Sequence, residues 1–133
     1  LDPKRLIYYG GTAPGTGGDD QIHFFAYDCK NHKLLFSGPD GPARYMIFAK
    51  STGRVYYTAG TAAVGPLVRF DPDKGTPEKL GGEIGIRAAT QETPQGVVYS
   101  VSTGQGGKEA RFYKFDVKTE KVEALGPAAV GKA

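Results

Sequence analysis

The 133-residue chain contains no tryptophan, one cysteine, one methionine and two histidines. A single thiol, Cys29, closes no disulfide within the chain and decides no redox compartment. It belongs to no reactive motif and reads as a packed or turn residue. No nucleophile stands beside a base, and no pair of carboxylates is set apart for acid–base work. No apolar run approaches the ~20 residues that a membrane helix needs. No basic run exists either. The net charge of +3 is scattered among interleaved Asp and Glu, unlike the basic face of a nucleic-acid binder. No 3.6-residue apolar period is sustained, so no helix is expected. The chain opens with Leu1-Asp2-Pro3-Lys4 and shows no basic-then-apolar leader, so any signal peptide has been removed or lies outside this sequence.

What is present is glycine, proline and short apolar runs. Gly 20 and Pro 9, with 39% hydrophobic and 23% charged residues, fit a globular chain of short strands and frequent turns. The length suffices for one domain with its own core.

The chain also repeats. Phe24-Phe25-Ala26-Tyr27-Asp28, Leu67-Val68-Arg69-Phe70-Asp71 and Phe112-Tyr113-Lys114-Phe115-Asp116 align on their aspartates, which lie 43 residues apart from Asp28 to Asp71 and 45 from Asp71 to Asp116. Ten residues after each aspartate stands a glycine (Gly38, Gly81, Gly126), and six further on a basic residue (Arg44, Arg87, Lys132). Upstream lies an apolar-Tyr pair: Ile7-Tyr8, Val55-Tyr56 and Val98-Tyr99, the last two preceded by Gly53 and Gly96. Five ordered landmarks at such spacing are not a chance pattern. A period of ~40–45 residues with four strands per unit is the signature of propeller blades.

The strands can be placed within each unit. Strand A covers 44–49 and 86–90, and strand B covers 6–9, 54–58 and 97–101. Strand C leads into each aspartate, and strand D covers 33–36, 78–80 and 122–125. Strand C is apolar on both alternating faces, as expected of sheets packed face to face and buried on both sides. An aspartate heading each C–D hairpin accepts N–H bonds from two residues on, so Asp28, Asp71 and Asp116 read as structural. The expected fold is therefore all-β: a β-propeller segment of about three four-stranded antiparallel blades. Its units are about 1–38, 39–81 and 82–126, followed by the start of a further inner strand at 127–133.

The hairpin Phe115-Asp116-Val117-Lys118-Thr119-Glu120-Lys121-Val122-Glu123 resembles the blade closure of bacterial propellers of the streptogramin-lyase, surface-layer and lactonase kind. The resemblance extends over nearly the whole chain at the level of fold. It implies a periplasmic or extracellular bacterial protein. With no tryptophan, the WD, Kelch, quinoprotein and sialidase repeat motifs do not fit. Closed rings have about 4–8 blades. Three units therefore imply partners: further blades from a longer chain, or another copy, two chains making about six.

Candidate sites follow from that frame. B–C loops and D–A connections of a propeller open at the channel mouth, where loops on a rigid scaffold carry function. The first B–C loop is the longest, 20 positions from Tyr8 to Asp28 against 15 and 17 in the later copies. Its Gly-rich run, Gly10 to Gly18, lacks the Lys-Ser/Thr ending and following helix of a P-loop, so a nucleotide site is not expected. Asp19, Asp20 and His23 are metal-binding residue types, but three within five positions of one loop define no metal site, and they enter the candidate ligand-contact set. His32, in a C–D turn on the opposite face, reads as solvated. Arg44, Arg87 and Lys132 recur where the innermost strand begins. They form either a cationic mouth for a carboxylate or phosphate ligand, or a set of locks between neighbouring blades. The expected function is binding of a small anionic ligand or a protein, with no cofactor and no metal. The alternative is part of a lyase- or lactonase-like propeller enzyme whose other catalytic residues lie on further blades.

Overall fold

Two kinds of turn cut the chain into strands. The computed structural model describes residues 1–12, 22–42, 45–61, 63–104 and 109–127, and all that follows concerns those residues. In the first kind, an aspartate accepts N–H bonds from the residues after it. Asp28 Oδ1 takes those of Lys30 and Asn31 at 3.0 and 3.1 Å. Asp71 Oδ1 takes that of Asp73 at 2.9 Å. Asp116 Oδ1 takes those of Lys118 and Thr119 at 2.9 and 3.1 Å. The chain then passes through a left-handed residue four positions after the aspartate: His32, Gly75 and Glu120, at φ 53°, 79° and 60°. In the second kind, Leu6, Gly53 and Gly96 take φ 55°, 76° and 78° just before the next strand begins. Glycine adopts that conformation without strain; leucine does not.

Eleven strands result: β1 (Ile7–Thr12), β2 (His23–Asp28), β3 (Lys33–Gly38), β4 (Ile47–Ala49), β5 (Arg54–Thr58), β6 (Gly65–Phe70), β7 (Pro77–Ile84), β8 (Ala88–Ala89), β9 (Val97–Val101), β10 (Arg111–Asp116) and β11 (Val122–Pro127). They form three sheets, β1-β2-β3, β4-β5-β6-β7 and β8-β9-β10-β11, and neighbours pair antiparallel throughout. The described residues contain no helix, and the all-β expectation holds. Strands lie where the sequence placed them, with shifted ends: β1, β3, β7 and β11 run longer, while β4 and β8 are shorter. Arg44 and the stretch 128–133 lie outside the described residues.

One alignment is corrected by the register. Tyr8 sits opposite Tyr27, Val55 opposite Phe70 and Val98 opposite Phe115, each of these partners being the residue before its aspartate. The first unit's equivalent of Val55-Tyr56 is therefore Tyr8-Tyr9, not Ile7-Tyr8. Leu6 fills the left-handed position held elsewhere by Gly53 and Gly96, so no glycine marked it. A slip of one residue exchanges the two faces of a strand, and the correction makes every face consistent.

The three sheets stack. Ile7, Tyr9, Phe24 and Ala26 of the first pack against Val55, Tyr57, Val68 and Phe70 of the second. From its other face the second sheet presents Ile47, Ala49, Tyr56 and Leu67 to Val98, Tyr113, Phe115 and Val117 of the third. Adjacent residues of β5 thus serve opposite cores. Tyr57 stacks on Phe24 with ring centroids 4.7 Å apart, and Tyr56 meets Phe115 edge-on at 4.6 Å. Phe24, Tyr56, Tyr57, Phe70 and Phe115 are at most 1% exposed. At about 1.5–3 kcal/mol per fully buried large side chain, these rings outweigh exposed ion pairs of about 0–1 kcal/mol. Apolar burial holds the stack together.

A polar network pins the second sheet to the third. Glu120 accepts the Tyr56 hydroxyl at 2.6 Å and Arg69 Nη1 at 2.5 Å. Arg69 Nη2 reaches Glu78 at 2.7 Å, and Arg54 Nε reaches Asp71 at 3.1 Å. Burial, then the neighbouring Glu120 carboxylate, raises the Tyr56 phenol above its ordinary value. It therefore stays a donor at neutral pH.

Candidate ligand cleft beside the short edge strands

β4 and β8 are the short edge strands of the second and third sheets, and a cavity of about 470 Å³ opens beside them. Its apolar wall is Met46 and Phe48 from the second sheet, Ala89 from the third, and Leu1 and Pro3 from the N-terminal segment. The polar lining comes from Tyr45, Lys50, Thr90, Gln91 and Glu92.

Local chemistry explains each wall. Asp2 is 3% exposed. Its Oδ1 accepts the N–H groups of Lys4 and Arg5 at 2.9 and 3.2 Å, while its backbone exchanges bonds with Leu6 and Ile7. This turn presents Leu1 and Pro3 to the cavity. Thr90 bonds the β9 backbone twice at Tyr99, giving its N–H to the carbonyl at 2.8 Å and taking the N–H at Oγ1 at 3.0 Å. The buried Glu92 accepts the N–H of Ser51 at 3.1 Å, which ties the segment after β8 to the turn after β4.

Arg87 precedes β8 and gives its backbone N–H to Val101 at 2.7 Å. Its side chain is exposed. Nη1 donates to the Tyr45 hydroxyl at 2.9 Å, and the guanidinium carbon lies 5.3 Å from the centre of the same ring. Among the described residues the guanidinium meets no carboxylate within ion-pair distance. It is a solvent-facing cation that does not itself line the cavity and adjoins it through Tyr45, which does. A lock would enclose and pair an arginine, whereas this one is exposed and has no carboxylate beside it among the described residues.

The other expected site residues are not gathered here. His23 begins β2 opposite Thr12, whose Oγ1 accepts its backbone N–H at 3.3 Å, and it does not line the cavity. Asp19, Asp20, Arg44 and Lys132 lie outside the described residues, as does 13–21 of the long loop. His32 and Cys29 sit exposed in the first aspartate turn. Among the described residues no three His, Cys, Asp or Glu side chains are grouped to hold a metal ion. No helix among them is long and apolar enough to cross a membrane.

Sequence reasoning missed Tyr45, Glu92 and the Glu120 hub. Tyr45 and Glu92 have no counterpart in the other units, so the repeat gave no signal. Glu120 did leave one: a glutamate at the left-handed turn position where the second unit has Gly75. Compared with family models and with curated proteins, the chain matches none.

Proposed function

We propose that the three sheets are consecutive blades of a β-propeller of the streptogramin-lyase, surface-layer and lactonase kind, and that this segment binds a small organic anion in the cleft beside its short inner strands. The supporting observation is Arg87, a solvent-facing guanidinium held over Tyr45 with no neighbouring carboxylate among the described residues. A ligand with an apolar body and one carboxylate or phosphate suits the site. The body covers Met46, Phe48 and Ala89, and the anion takes the paired donors of Arg87. Arg44 and Lys132 hold the equivalent positions in the sequence repeat. A periplasmic or extracellular setting goes with the same resemblance.

The test is calorimetric titration with a panel of aromatic and aliphatic carboxylates and phosphate esters. At least one should bind, more weakly as salt rises. Arg87→Ala should lower its affinity about 10–100-fold, the worth of a charge-assisted bond, and leave the melting temperature unchanged. No binding by any member, or equal affinity in the variant, overturns the proposal.

A further inference from the structure

The outward faces of the first and third sheets repeat the two faces that already pack inside the stack. In each unit, the residue opposite the one just before the aspartate, together with the residues one and three before it, faces back toward the preceding sheet. In the second sheet these are Val55, Phe70 and Val68, and in the third Val98, Phe115 and Tyr113; all are buried. In the first sheet they are Tyr8, Tyr27 and Phe25. Tyr8 is 50% exposed, and its ring stacks on Phe25 at 5.7 Å. The opposite face follows the same rule. Tyr9 with Phe24, and Tyr56 with Leu67, are buried against the next sheet, whereas their counterparts Tyr99 and Phe112 in the third sheet are 40% and 43% exposed. A repeat stack that ends at a terminal unit carries a polar outer face there. The outward faces here instead carry exposed rings, Tyr8 on the first sheet and Tyr99 and Phe112, beside Lys114, on the third.

We infer that the third sheet of one copy receives the first sheet of a second copy, head to tail, through Tyr99 and Phe112 on one side and Tyr8, Phe25 and Tyr27 on the other. The interface is heterologous, continues the register of the two internal ones, and does not depend on the cleft binding a ligand. The second copy is the occupant because every copy carries both halves of a pairing its own sheets already make twice. Charge gives the register a signature. Between the second and third sheets, Arg69, two residues before its aspartate, meets Glu120, four residues after the next one. The equivalents across the new interface are Lys114 and His32 of the next copy.

Sedimentation velocity over a wide concentration range tests this. The chain should form concentration-dependent dimers or larger species. Phe112→Asp and Tyr8→Asp should each be monomeric, with unchanged circular dichroism. Mixed together they should associate one to one, because each retains the face the other has lost. His32→Glu should tighten association several-fold at low salt, and adding Lys114→Ala should cancel that gain. The proposal is overturned by a monomer at every concentration, which would leave the faces to further sheets of a longer chain or to an unrelated partner. Single variants that still self-associate, or a folded mixture that does not pair, overturn it equally.

Discussion

Glu120 should be the costliest polar residue to remove, although it lies in a hairpin turn. Its carboxylate accepts from Tyr56 and Arg69, and its side chain is 17% exposed against 12% for Arg69. Losing it strands a largely buried cation, which costs about 3–5 kcal/mol for a fully buried pair. Arg69 keeps Glu78 at 2.7 Å, so the expected cost of Glu120→Ala is lower, about 2–3 kcal/mol. The backbone adds a discriminating term. At φ 60° any L side chain is strained by about 1–2 kcal/mol, and Ala keeps that strain while Gly relieves it. Glu120→Gly should therefore cost about 1–2 kcal/mol less than Ala, leaving about 0–2 kcal/mol. For a chain of this size, about 3–5 °C of melting temperature goes with each kcal/mol. Thermal melts by far-UV circular dichroism at low protein concentration should show Ala about 6–15 °C below the parent and Gly between them. Equal melting of Ala and parent would refute the network. Gly melting at or below Ala would refute the strain argument.

The other left-handed position makes the reverse prediction: Leu6→Gly should raise stability by up to about 1 kcal/mol, and Gly96→Ala should lower it by about 1–2 kcal/mol, as urea denaturation would measure. The Cβ added at Gly96 meets only ordinary contact, Val117 Cγ2 at 3.6 Å, so a cost there reports backbone conformation. Acid should unfold the chain through its turn aspartates. Asp28 is held below the ordinary value by the Asn31 side chain and backbone, then by Lys30, and Asp116 by the N–H groups of Thr119 and Lys118. For Asp71, burial opposes ionisation, but the Asp73 N–H and the Arg54 guanidinium together outweigh it. All three bind a proton more weakly folded than unfolded. Their contribution is complete above the ordinary Asp value of about 3.9 and is lost as pH falls through the lowered folded values. Melting temperatures from pH 7 to 2 should fall along that limb, and less steeply in Asp71→Asn.

The sheets were legible because period and turn chemistry point the same way. The aspartate turns and the doubly apolar strand C give order, pairing and stacking together. The register of the first unit was not legible, because Leu6 stands where a glycine would have marked the turn. Arg87 stands out in the sequence because it recurs with the period. Tyr45, which steadies it, and Glu92, which ties the cleft wall, do not recur and come together only where the second and third sheets stack, edge strand beside edge strand. The Glu120 hub unites residues 64 and 51 positions apart in sequence, and no local pattern specifies such a contact.

The central claim is that the middle sheet is buried on both faces by its two neighbours, and Tyr56 and Tyr57 test it most directly. In a nuclear Overhauser spectrum with specifically labelled aromatic rings, Tyr57 should cross-relax with Phe24 and not with Phe115, while Tyr56 should do the opposite. Both tyrosines contacting the same phenylalanine, or either lacking its partner in a folded sample, would contradict the stack.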